Sequence, residues 1–198
     1  ILSQSLRNCN YLVLTFGTAI GFQHHELNKV VANCHKFPGD HFQRQTTTLK
    51  TLTDTVAATL EKCMAFNPGL RILVTVSPVR HIRSGMVANA ASKSILRTLC
   101  FELESNLKNI RYFPSFEIMM DDLRDYRFYK SDLIHPNQMA LDYIWNKVSG
   151  TFFSHDTREV IEKLEKVHRD LAHRPLNPQA SAHQKFLLQL ESRIESLE

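Results

Sequence analysis

The chain has 198 residues, 43% of them hydrophobic and 22% charged, with a net charge of +4 at pH 7. That is enough for one domain with an appendage, and it excludes a disordered tail, a collagen-like rod and a disulfide-stapled miniprotein. No apolar run approaches the ~18 residues of a spanning helix, and the small basic excess is spread along the chain, so neither a membrane nor a nucleic acid is expected as a partner.

Ile1 rather than Met opens the chain, inside what reads as a helix end. The chain is therefore expected to be a piece of a longer protein, with any leader lying upstream. Tyr11 to Phe16 forms the first apolar run, and Arg71 to Ser77 and Ile110 to Phe113 form two more. Each is near-continuous rather than alternating, as strands covered on both faces are. Between the first two, Leu49, Leu52, Val56, Leu60 and Cys63 recur at helical spacing until Asn67-Pro68-Gly69 stops them. Ile95, Leu99, Leu103 and Leu107 form a second stripe. A third helix is expected after Pro136, through Ala140, Tyr143, Ile144 and Lys147, with the proline in its first turn. Strands alternating with helices predict an α/β domain on a mainly parallel sheet.

Beyond about Gly150 the pattern becomes purely helical. Val160, Leu164, Val167 and Leu171 make one amphipathic stripe, and Leu187, Leu190, Ile194 and Leu197 another. Arg174-Pro175-Leu176-Asn177-Pro178 is a rigid link between them. The expected division is a domain over 1–153 and a helical extension over 154–198. Cys9, Cys34, Cys63 and Cys100 are widely spaced and lack a CxxC pair, so no structural zinc is expected. Reduced thiols suit a cytoplasmic location.

In a parallel sheet, ligands sit beyond the carboxyl ends of the strands. The segments to read there are Gly17-Thr18, Ser77 to His81, and the stretch after Phe113. The last contains Asp132-Leu133-Ile134-His135. An acid three residues before a histidine orients one ring nitrogen and leaves the other free to take a proton from a nucleophile. The same spacing recurs at Asp170 and His173, late in an amphipathic helix, where it reads as a solvated turn. Position, not spacing, singles out Asp132 and His135. A structural helix cap is the other reading.

Asn33 offers either an oxyanion donor or a hydrogen-bonded turn. Cys34 beside His35 does not read as a thiolate pair, because adjacent side chains of an extended segment face opposite ways. Arg80 and His81 are placed to bind an anionic or carbonyl group, unless Arg80 pairs with Asp121, Asp122 or Asp125. Ser77 lacks a Gly-x-Ser-x-Gly elbow and reads as a turn residue. His24, His25, Glu26 and His41 read as a loop cluster rather than a metal site.

Four long strings in order then carry a resemblance. They are Leu14-Thr15-Phe16-Gly17-Thr18-Ala19 with Val31 to Lys36, Thr75 to His81, Tyr112-Phe113-Pro114, and Glu117 through Asp132 to His135-Pro136. Together with Arg174-Pro175 to Phe186 they resemble the GSCFA family, which is similar to the SGNH (GDSL-like) hydrolases. The resemblance implies a three-layer α/β/α fold and ester or O-acyl hydrolysis by a Ser-His-Asp mechanism without a cofactor. It makes His135 the base and Asp132 its orienting partner, and places Gly17 and Thr18 beside the oxyanion hole. The substrate would be a small ester or an acylated carbohydrate. The naming Gly-Ser-Cys-Phe-Ala string is absent here and is expected upstream of Ile1, together with the nucleophile and a first strand. The chain alone is then expected to be inactive. Ala19 stands where many relatives have asparagine, which leaves Asn33 as a substitute donor. The alternatives are a non-catalytic binding or scaffold module and acyl transfer to a sugar.

Overall fold

A computed structural model describes residues 2–196 apart from Ala32, His35, Leu176 and Pro178. It divides into two compact units, residues 1–144 and 145–198. In the first unit α1 (Leu2–Asn8) leads into β1 (Tyr11–Phe16). β2 (Ile20–His24), β3 (Lys29–Val31), β4 (Phe42–Thr46), α2 (Leu49–Phe66), β5 (Arg71–Val76), α3 (Met86–Asn106) and β6 (Ile110–Phe113) follow.

The three apolar runs form one parallel sheet in the order β1-β5-β6. Leu12 stands beside Ile72, and Ile72 beside Ile110. Side chains alternate across a strand, so Leu12, Leu14 and Phe16 share a face with Ile72, Val74 and Val76. That face packs on Leu60 of α2 and on Leu96, Leu99, Cys100 and Leu103 of α3. Each fully buried Leu or Ile there contributes about 1.5–3 kcal/mol. On the opposite face Thr75 bonds to Ser115 of α4 (Ser115–Glu117) and Phe113 is buried, as are Ile118 and Met119 in the wide turn Ile118–Asp122 that follows. The fold is α/β with helices on both faces of a parallel sheet.

Two features depart from the sequence expectation. The stretch between the first strand and α2 is not only helical. β2 pairs with β3 and β4 in a separate antiparallel sheet, in which Phe22 faces both Val31 and Arg44. Its strands are only three to five residues long, with four of the five residues of Phe42–Thr46 exposed, so no long apolar run marks them. Gly21 is the residue that lets them close, because a Cβ there would lie 2.7 Å from Val30 Cγ1. The second departure is β1, which alternates instead of being covered on both faces. Among the described residues it pairs only with β5, leaving Tyr11 and Val13 about 60% exposed.

α5 (Gln138–Phe152) starts two residues after Pro136, so the proline is not in its first turn. Asn137 accepts the Ala140 amide and is the cap, while Pro136 lies outside the helix, bridged to Tyr129. The boundary between the two compact units falls inside α5.

In the second unit α6 (His155–Ala172) is capped by Ser154, which accepts the Thr157 amide, and pairs with α7 (Ser181–Glu195). Val167 and Leu190 are buried, and Asp170 meets Arg193 at 2.6 Å. The acid of the second Asp-x-x-His pair is thus committed to an arginine. Leu176 and Leu197 lie outside the described residues. Among those described, no helix is long and apolar enough to cross a membrane.

Candidate active site

The carboxyl ends of β1 and β5 open onto a cleft of about 490 Å³. Thr18 lines it from the loop after β1 and Ile20 from the start of β2, Arg80 and His81 from the loop after β5, and Ile134 and His135 from the segment before α5. Gly17 lies against it, since a Cβ there would meet the His81 ring at 3.4 Å.

His135 and Asp132 belong to a self-contained turn. Asp132 Oδ1 accepts the amides of Ile134 (2.9 Å) and His135 (3.0 Å), while Oδ2 lies 2.7 Å from His135 Nδ1. Those contacts, the His135 amide first and then its ring, hold the Asp132 carboxyl well below the usual carboxylate range. Leu133 closes the turn with φ +56°, which is strained for a residue with a Cβ. Its amide donates to Lys130, and the Lys130 amide donates to His135 O. The imidazole is therefore oriented through Nδ1, and both partners remain partly open to solvent.

α3 supplies the floor. Asn89, Ser92 and Lys93 continue the buried face of that helix toward its N-terminus, spaced as neighbours on one helical face. Asn89 Oδ1 accepts the His81 amide at 2.8 Å. Ser92 Oγ accepts the Ala19 amide at 2.7 Å and lies 3.1 Å from Thr18 Oγ1. Lys93 Nζ donates to Gly17 O and Ser77 O, each at 2.6 Å, and so joins the two strand-end loops. The residue is 2% exposed and has no carboxylate partner among the described residues. Burial lowers its pKa to about 8. Burial, followed by the Lys93 charge, also lowers that of His81.

Of the residues singled out in the sequence, Thr18, Arg80, His81 and His135 line one cleft, with Gly17 and Asp132 adjoining it. Asn33 lies in the bend after β3, exposed, and is not among the residues that line the cleft. His35 lies outside the described residues. Arg80 does not pair with Asp121, Asp122 or Asp125. Its guanidinium donates to Leu133 O at 3.1 Å and sits 4.2 Å over the Tyr129 ring. Asp121 instead meets Arg124, Asp122 accepts from Tyr143, and Asp125 accepts the Arg127 amide. Sequence reasoning missed Asn89, Ser92 and Lys93. Their signal was three polar residues in register with the apolar face of a helix.

Comparison with known families gives two matches in chain order. The model described as GSCFA family matches residues 2–148, and that described as GSCFA domain protein, C-terminal domain, matches residues 164–198. A search of curated proteins found no match.

Proposed function

The chain belongs to the GSCFA family, and from that premise we propose that its cleft serves an SGNH-like esterase or O-acyl hydrolase. A serine hydroxyl, supplied from upstream of this chain, attacks the acyl carbonyl. His135 takes the hydroxyl proton on the nitrogen that Asp132 leaves free. The tetrahedral oxyanion is held by the Gly17 and Thr18 amides, with Arg80 and His81 at the rim. Asn33, outside the lining, is the weakest donor of the set. Collapse expels the alcohol, which receives the proton back from His135. Water then frees the acyl group by the same path in reverse.

The observation that carries this reading is the 2.7 Å contact between Asp132 Oδ2 and His135 Nδ1 beside a cleft shared with Thr18 and His81. Removing such a base or its orienting acid costs about 10²–10⁴-fold in rate. The test is a fluorophosphonate probe on the full-length protein, followed by mapping of the labelled serine. Labelling is expected on a serine upstream of Ile1 and is expected to fall at least a hundredfold in His135→Ala and Asp132→Asn. Labelling at Ser77 or Ser84, labelling indifferent to His135→Ala, or none on folded protein would each overturn the reading. If a labelled enzyme turns over only when a sugar acceptor is added, the reaction is transfer rather than hydrolysis.

A further inference from the structure

The charge of the cleft is one-sided. Its lining includes Arg44 from β4, Arg80 after β5, and Arg83 from the short turn Ile82–Ser84, together with His81 and His135, and no carboxylate among the described residues. The nearby Asp132 is committed to the His135 ring and two amides. Beneath the floor, the Lys93 ammonium donates to two carbonyl oxygens and lies 6.0 Å from the centre of the Phe116 ring, with no carboxylate partner among the described residues. The ion pairs among the described residues engage none of these four cations. Protein surfaces ordinarily intersperse both signs, and a concave site of one sign concentrates ligands of the other. Two of the arginines are also held in place by rings, Arg44 over Phe22 at 5.5 Å and Arg80 over Tyr129. A held guanidinium loses less freedom when it meets a carboxylate or a phosphate. Ile20, Phe22 and Ile134 give the same cleft an apolar strip for an acyl chain.

We propose that the ligand of this cleft is an anionic ester, one whose carboxylate or phosphate meets Arg44 and Arg83 while its acyl group lies by His135. As a statement about the substrate, this rests on the ester-hydrolase reading. As a statement about binding, it stands on the cations alone.

The test is calorimetric titration of the full-length protein with glucuronate, glucose 6-phosphate and glucose at one ionic strength. At least one of the two anions is expected to bind about tenfold or more tightly than glucose, a difference of about 1.4 kcal/mol. Which of them binds more tightly distinguishes a carboxylate from a phosphate ligand. Arg44→Gln combined with Arg83→Gln is expected to abolish that preference; both side chains are exposed, so the fold survives the change. Equal binding of glucose and the anions, binding of neither anion, or a preference that survives in the double variant would overturn the proposal. The titration repeated on His135→Ala separates the two readings. If the anion preference persists there while probe labelling fails in the parent, an anion site remains and the esterase reading falls. If labelling succeeds without an anion preference, the reverse holds.

Discussion

Lys93 carries its charge where the described residues supply carbonyl dipoles but no counter-ion. Burial lowers its pKa from 10.5 to about 8. Below pH 8 the folded and unfolded chains both hold the proton, and the desolvation cost is fully present. Between 8 and 10.5 the unfolded chain keeps a proton that the folded chain has released, so this residue adds stability as pH rises. The neutral amine still has two N–H groups for Gly17 O and Ser77 O. Cys100, whose thiol burial pushes up to about 12, and Tyr112, also raised by burial, act in the opposite direction in alkali. The measurement is therefore a difference. Urea midpoints of the parent and of Lys93→Met are compared from pH 7 to 10, and the parent is expected to gain on the variant above pH 8. A gap independent of pH would mean that Lys93 is not a buried cation. The Asp132/His135 spacing was legible in the sequence because the pair lies three residues apart, and its place after the third strand and before a helix set it apart from Asp170 and His173. Lys93 was not, because Gly17 lies 76 residues away and only the closed sheet brings them together.

At the scale of the element, α3 is an apolar helix whose buried face turns polar over its first turns. The stripe read from the sequence, Ile95 to Leu107, falls on the observed face: Leu99 and Leu103 are in the core, and Ile95 and Leu107 pack against it. Leu96, Leu99, Cys100 and Leu103 are fully buried, and Leu107 caps the helix end. Extending that face backwards leads to Lys93, Ser92 and Asn89, so their burial follows from helical geometry even though their partners do not. Ser92→Ala leaves the Ala19 amide without its 2.7 Å acceptor in a buried position. The expected destabilisation is about 1–3 kcal/mol. Ser94→Ala is the control, because Ser94 is exposed on the same helix and donates only to Ala90 O; it should stay within about 0.5 kcal/mol. Equal midpoint shifts for the two variants would show that the polar face does not hold the β1 loop. The strands of the parallel sheet were legible because apolar runs marked them. β2, β3 and β4 were not, because their stability comes from backbone pairing around Gly21 with little burial, which leaves no periodicity to read.

For the molecule as a whole, the consequential surface is the outer side of β1. Its six residues hydrogen-bond to β5 on one side, and Tyr11 and Val13 expose apolar side chains on the face away from α2 and α3. Arg71 covers part of Tyr11, its guanidinium lying 5.6 Å over the ring, while Val13 has no such cover among the described residues. An open edge beside an exposed apolar row is a template for another strand. The 198-residue polypeptide on its own is therefore expected to self-associate, with sedimentation equilibrium showing a concentration-dependent dimer or larger species at tens of micromolar, roughly the range where exposed edges associate. Val13→Lys places a charge in the middle of the edge without touching the packed face. It should weaken association about tenfold or more while leaving the urea midpoint within about 0.5 kcal/mol. A polypeptide that stays monomeric at about 100 μM, or a dimer indifferent to Val13→Lys, would show that the edge is protected by its own twist and by Arg71. The same experiment bears on the site, because β1 ends in Gly17 and Thr18. A strand added there would stand next to β1, whose end leads into the cleft lining at Thr18.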